Sequence, residues 1–147
     1  MKLRTLNVGC FGGGTGIVAA CDVEPAPRNA FVMTTLLRDV IAFGTATRAR
    51  ALGRRDLAGK TGTTNENVDA WFCGYTVQIA ACVWVGYPQG QIPLENVEGV
   101  PLVFGGTIPA AIWLDFMEVA MADKEPIAFP EPSFDELTVT PSAEAPI

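Results

Sequence analysis

Apolar residues recur at Val32, Leu36 and Val40, and in a parallel stripe at Met33, Leu37 and Ile41. This i, i+4, i+8 spacing predicts a helix over residues 29–43. Pro27 suits its first turn, where the missing N–H costs nothing, and Gly44 is expected to close it in a left-handed conformation. Three extended segments follow in quick succession, at about residues 57–63, 70–76 and 79–87. The third is apolar almost throughout. A strand without alternation is usually buried on both faces, so it is expected at the centre of a sheet. Only Val77-Gln78 separates the last two segments, which predicts a hairpin. Its register sets Thr76 against Ile79, Cys73 against Cys82 and Trp71 against Trp84. Facing cysteines bond only if their pair is the narrow type, and most remain packed thiols, so the pattern leaves the disulfide open.

The remaining stretches are less regular. Residues 45–56 read as a polar, arginine-rich loop, and residues 88–106 as a long loop of glycines and prolines. A second helix is expected from near Pro109. Ile112, Trp113, Phe116, Met117, Val119 and Ala120 cover most of its circumference, with Asp115 and Glu118 marking the exposed edge, which predicts deep packing on the sheet. From Pro126 the chain has five prolines and several acids and reads as an extended or disordered tail. At the other end, residues 5–21 read as a glycine-turned β-hairpin. Met1-Lys2-Leu3-Arg4 and Val18-Ala19-Ala20-Cys21 have the outline of a lipoprotein signal, but the stretch between them is glycine-rich and only weakly apolar. The organisation expected is an amino-terminal segment over 1–26, a folded unit over 27–125 and a tail over 126–147.

Composition narrows the function. The 147 residues amount to one domain, and 49% hydrophobic content supports a sizeable core. A net charge of −6 argues against nucleic acid as a partner. Six of the ten cations, Arg38, Arg48, Arg50, Arg54, Arg55 and Lys60, nevertheless fall in one short stretch. They suggest a local site for an anion; the arginines equally suit the negative end of the preceding helix. Histidine is absent, which excludes His-dependent nucleophilic triads within this sequence. Cys10, Cys21, Cys73 and Cys82 show no CxxC spacing, so no metal site and no cofactor are expected. No apolar run is long enough to span a membrane.

The informative stretch is Ala58-Gly59-Lys60-Thr61-Gly62-Thr63-Thr64-Asn65, followed by Asp69-Ala70-Trp71-Phe72. As a phosphate-binding loop it fails, because Arg54 stands where the leading glycine belongs. A dinucleotide fingerprint at Gly14-Thr15-Gly16-Ile17-Val18-Ala19 lacks a following helix, since Pro25 and Pro27 interrupt the chain. The third reading is the Lys-Thr-Gly motif of serine transpeptidases and β-lactamases. With Arg28-Asn29-Ala30-Phe31-Val32-Met33-Thr34, Leu37-Arg38-Asp39-Val40, Cys73-Gly74-Tyr75-Thr76, Val83-Trp84-Val85-Gly86-Tyr87 and Gly105-Gly106-Thr107-Ile108-Pro109, the chain closely resembles class A (bifunctional) penicillin-binding proteins. The likeness runs from about Pro27 to Pro132.

The resemblance implies an α+β fold of the β-lactamase/transpeptidase-like type, present in part: three antiparallel strands flanked by a helix on either side. It makes the chain the carboxy-terminal portion of a peptidoglycan D,D-transpeptidase domain, working outside the cytoplasmic membrane. Its partner would be a stem peptide ending in D-Ala-D-Ala, or a β-lactam that mimics it. Lys60, Thr61, Gly62, Thr63 and Thr64 would bind that ligand. Lys60 offers positive potential to the carboxylate, the hydroxyls of Thr61 and Thr63 donate to it, and Gly62 permits close approach. The backbone N–H of Thr63 would form half of an oxyanion hole. No catalytic side chain is expected, because Ser133 and Ser142 are the only serines and neither begins a Ser-x-x-Lys or Ser-x-Asn motif. Two further strands that flank residues 79–87 in the family have no counterpart in the pattern. The edge they would cover invites association with the missing part of the domain, with the hairpin at 5–21 as a partial cover. A gene fragment, or a binding module without catalysis, is the alternative.

Overall fold

The computed structural model of the chain describes residues 7–9 and 27–133. Its elements are β1 (Asn7–Gly9), α1 (Pro27–Ala42), β2 (Ala58–Thr63), β3 (Asp69–Tyr75), β4 (Ala80–Gly86), β5 (Glu95–Val97), β6 (Val100–Leu102) and α2 (Ile108–Ala120). The first four strands form an antiparallel sheet in the order β1-β4-β3-β2, and β5 and β6 form a separate ribbon. This is a mixed α+β architecture of antiparallel strands with a helix before and a helix after.

The hairpin takes the predicted register: Trp71 faces Trp84 and Cys73 faces Cys82. Its tight turn has no glycine and no left-handed residue. The Thr76 hydroxyl accepts from the N–H groups of Gln78 and Ile79, at 3.0 and 3.1 Å, and Thr76 N–H bonds Ile79 carbonyl at 2.8 Å. A buried side-chain oxygen thus supplies what a primed turn would otherwise need from its backbone.

Period-2 alternation sends Ala70, Phe72 and Gly74 to one face of β3 and Trp71, Cys73 and Tyr75 to the other. The first face is the core side. Trp113 of α2 stacks edge-on against Phe72, with ring centroids 5.1 Å apart, and its indole N–H bonds the Gly74 carbonyl at 3.2 Å. Its ring fills the space where a side chain at Gly74 would stand. Phe72 and Trp113 are both fully buried, and each such ring contributes about 2–3 kcal/mol. Helix α1 reaches the opposite face at the Tyr75 end, where Thr34 Oγ1 lies 3.0 Å from the Tyr75 hydroxyl.

β4 is buried on one face only: Ala81, Val83 and Val85 are enclosed, while Ala80, Cys82 and Trp84 stay half-buried. Its missing alternation reflects the moderately apolar character of a partly open face rather than two full covers. In α1 only Ile41 is fully buried, and Val32, Met33 and Leu36 stand more than half exposed. Val119 of α2 is 80% exposed, so that helix packs through one side, Pro109, Ala110, Trp113 and Met117. Gly44 is not left-handed. It is required because a Cβ there would sit 2.9 Å from Val40 Cα and O, where the chain folds back over α1.

The loop at 45–56 holds a 3-10 turn over Thr47–Leu52, seated by the buried Ala46 and Ala49 and ended by left-handed Gly53. The loop at 88–106 contains the β5–β6 ribbon, whose Glu98-Gly99 turn has positive φ at both residues, 50° and 77°. That is the mirror-image turn whose twist suits a two-residue hairpin. β1 pairs with the outer edge of β4, Asn7 with Cys82 through Gly9 with Ala80. The rest of the expected hairpin at 5–21, the dinucleotide-like stretch and residues 134–147 lie outside the described residues. Residues 126–133 have no regular structure but are attached: Phe129 packs on Tyr75 with ring centroids 5.6 Å apart.

Candidate functional site

β2 lies at one edge of the sheet, paired with β3 and with no other described strand. Which of its backbone groups face outward follows from one hydrogen bond. Thr64 N–H bonds Asp69 carbonyl at 3.0 Å, in the same register that pairs Thr63 with Ala70 and Thr61 with Phe72. Bonded and non-bonded pairs alternate along an antiparallel ladder. Thr63, Thr61 and Gly59 are therefore the non-bonded positions, and they turn their N–H and C=O groups to the open edge.

The side chains divide between two faces. Lys60 and Gly62 lie on the same side as Cys73 and Trp71. Lys60 is exposed, and its ammonium donates to the Thr61 carbonyl at 2.8 Å, a group on the open edge. At Gly62 an added Cβ would meet the Trp71 Cβ at 3.3 Å, so the strand is smooth there. Trp71 is 43% exposed and forms an apolar floor beside Lys60 and Gly62. It tilts against Trp84, whose indole N–H is held by the Asp69 carboxylate at 2.8 Å.

Thr61 and Thr63 point to the other face, and both hydroxyls are held. Thr61 Oγ1 lies 2.6 Å from Thr45 Oγ1, and Thr63 Oγ1 accepts from Gly105 N–H at 3.3 Å. The Gly105-Gly106 pair lies flat against this face, and side chains there would strike Trp71 carbonyl and Thr45 carbonyl. Thr64 is exposed at the end of the strand. Its hydroxyl accepts from Asp69 N–H at 2.9 Å, which closes the β2–β3 loop. Trp71, Thr45 and Gly105 were not legible as site residues. Thr45 and Gly105 lie far from residues 60–63 in sequence, and Trp71 reaches Gly62 only through the β2–β3 pairing, which the β3–β4 hairpin register does not give.

Lys60 stands mid-strand, not before a helix, so the backbone cradle of a phosphate-binding loop is not formed around it. The arginines separate into different roles. Arg54 grips the buried Asp56 carboxylate with two bonds, 3.0 and 2.7 Å, and also donates to the carbonyls of Lys124 and Glu125. Burial pushes the Asp56 carboxyl up, but the Arg54 guanidinium and the Ile127 N–H outweigh it and hold the group below the ordinary aspartate value. Arg50 donates to Ala42 carbonyl at 3.4 Å, the helix-end role. Arg38, Arg50, Arg54 and Arg55 line one cleft with Asp39 and Phe43.

The Cys73 and Cys82 sulfurs are bonded, with Cα atoms 4.0 Å apart. Thr76 and Ile79 form a hydrogen-bonded pair in this ladder, which makes Cys73 and Cys82 a non-bonded, narrow pair. The disulfide lies directly behind Lys60, which is the register partner of Cys73. Among the described residues no cluster suits a metal ion and no helix is long and apolar enough to cross a membrane.

The arrangement is an open strand edge with an ammonium, two braced hydroxyls and a side-chain-free position beside an exposed indole. No family model matches the chain. Individual proteins do. Penicillin-binding protein 1A of Neisseria meningitidis serogroup A is 42% identical over 99 residues, covering 67% of this chain and 12% of the relative. Penicillin-binding protein 1A of Pseudomonas aeruginosa is 44% identical over 116 residues, covering 74% of this chain and 13% of the relative. The chain therefore spans about an eighth of the curated relatives it matches. Among solved structures, PonA1 of Mycobacterium tuberculosis superposes with a TM-score of 0.62 at 30% identity, covering 82% of this chain and 33% of that one. A PonA1 structure in complex with penicillin V gives 0.58 at 30% identity, covering 74% and 30%. Penicillin-binding protein 1A of Haemophilus influenzae gives 0.57 at 28%, covering 70% and 16%.

Proposed function

Because the chain belongs to the class A penicillin-binding proteins, corresponding to part of their transpeptidase domain, we propose that β2 is the substrate-binding strand of a peptidoglycan D,D-transpeptidase site. The ligand is a stem peptide ending in D-Ala-D-Ala, or a β-lactam in its place. It adds to the open edge of β2 as an extended strand, through main-chain hydrogen bonds to the outward groups of Thr61 and Thr63. The single observation that carries this reading is the open edge itself, with exposed Lys60 and Thr63 and the outward Thr63 N–H on one stretch of strand.

Each group then has a task. Lys60 leaves the Thr61 carbonyl and turns its ammonium to the ligand carboxylate. A hydroxyl carries one proton and two acceptor sites. Since Thr63 Oγ1 accepts from Gly105 N–H, its own proton stays free to donate to that carboxylate. Thr61 has the same freedom when Thr45 is the donor in their pair. The Thr63 N–H stabilises the oxyanion that develops on the scissile carbonyl. Trp71 supports the apolar side of the ligand. The penicillin V bound to the related PonA1 is a ligand of the class expected here. Acylation needs a serine nucleophile with a lysine base, and this sequence has no Ser-x-x-Lys, so that group is supplied from outside it. The same reading places the site outside the cytoplasmic membrane, where peptidoglycan lies.

The test is a titration of an acyl-D-Ala-D-Ala peptide against the chain and its Lys60→Ala variant. Loss of one charge-assisted contact weakens binding roughly tenfold, about 1.4 kcal/mol. Equal affinity would remove Lys60 from the site.

A further inference from the structure

The cleft beside the carboxy-terminal end of α1 is assigned no role by the transpeptidase reading. It is lined by Arg38, Arg50, Arg54 and Arg55, with Asp39 as its carboxylate and with Phe43 85% exposed. Its volume, about 640 Å³, falls in the range of small-ligand sites, about 300–1,000 Å³. None of Lys60, Thr61, Gly62, Thr63 or Thr64 borders it, so it is a second place.

The bland account is that arginines follow a helix to neutralise its end. It covers only part of the cluster. Arg50 takes the Ala42 carbonyl, while Asp39 carbonyl is already held by the N–H groups of Phe43 and Gly44, and Val40 carbonyl by that of Ala46. Arg54 is spent on Asp56 and on the carbonyls of Lys124 and Glu125. The side chains of Arg38 and Arg55 are exposed and make no hydrogen bond or ion pair with a described residue; Asp39 has no ion pair with either. Two uncommitted guanidinium groups, and a third with one weak bond, therefore face one cleft in a chain whose net charge is −6. Asp39 is the one carboxylate lining the cleft beside these three guanidinium groups; like charges in excess of their counter-charge repel, and an anion relieves that repulsion. Guanidinium forks match phosphate oxygens in pairs, which carries the choice of ligand.

We propose that this cleft binds a phosphate-bearing anion, with Arg38 and Arg55 as its principal ligands and Arg50 assisting. Phosphate groups reach such a cleft either as small soluble anions or as lipid headgroups. The test titrates the full chain with inorganic pyrophosphate, and separately with vesicles of phosphatidylglycerol against vesicles of phosphatidylcholine, at constant ionic strength. Arg38→Gln/Arg55→Gln is compared with Arg48→Gln, an exposed arginine outside the cleft. Saturable binding to pyrophosphate or to the anionic vesicles, weakened at least tenfold by the double variant and unchanged by Arg48→Gln, supports the site. Which of the two arms binds identifies the source. Backbone amide shifts of the wild-type chain should move at residues 38–39 and 50–55. No saturable binding in either arm, an equal loss with Arg48→Gln, or shifts centred elsewhere would each overturn it. The outcome is independent of Lys60 and of peptide binding at β2.

Discussion

Among the described residues, Asp56 is the buried carboxylate held in an ion pair. It is 4% exposed, it is held by Nε and Nη2 of Arg54, and it accepts from Ile127 N–H at 3.2 Å. It thereby fastens the start of β2 to the segment after α2. Its folded pKa is lowered, so its contribution is present above the ordinary aspartate value, about 3.9, and is lost as the pH falls through the lower folded value. Thermal denaturation of the wild type should show an acid-side loss of stability that Asp56→Asn lacks. At neutral pH that variant should cost about 3 kcal/mol, because it leaves the Arg54 charge unpaired in a largely buried place. A flat pH response in the wild type would contradict this. That Lys60, Thr61, Gly62 and Thr63 share one strand is legible in sequence, because they are adjacent. The brace behind it is not, since Thr45 and Gly105 reach Thr61 and Thr63 only through the folded chain.

At the scale of elements, the β3–β4 hairpin is the frame that presents β2. Its register came from the two-residue spacing between apolar runs, and it carried the Trp71–Trp84 and Cys73–Cys82 pairs with it. The disulfide did not follow from register alone. Facing residues alternate between wide and narrow pairs, and only the hydrogen-bond phase, fixed by Thr76 and Ile79, decides which kind a cysteine pair occupies. The cysteines are nine residues apart, so the cross-link should add about 2–3 kcal/mol. Denaturant unfolding of the Cys73→Ser/Cys82→Ser variant, and of wild type under reductant, should show the same loss. A reductant-insensitive midpoint would speak against the bond. The β5–β6 ribbon has no such signal in sequence. Its turn is a single Glu98-Gly99 step inside a stretch whose glycines and prolines read as uniform loop.

The whole molecule is one-sided. Its core lies between the sheet and α2, whereas Val32, Met33 and Leu36 of α1 stand exposed along one stripe. Such a stripe predicts self-association, and Leu36→Glu with Val32→Lys should shift sedimentation of the chain toward monomer without loss of helix signal. An unchanged sedimentation profile would show that the stripe drives no contact. The isolated chain should also take up no labelled penicillin that survives denaturing electrophoresis, since its two serines, Ser133 and Ser142, lie outside any Ser-x-x-Lys. By itself the sequence determined the elements with strong periodicity or tight spacing, namely α1, α2, β2 and the hairpin, and the residue types that β2 carries. Those signals act between near neighbours, where bond geometry and side-chain alternation leave few choices. Tertiary structure alone decided which apolar faces are covered, how the Thr61 and Thr63 hydroxyls are held, and which arginines form no ion pair with a described residue. Each of these depends on groups brought together across the chain, and no local pattern encodes their distance.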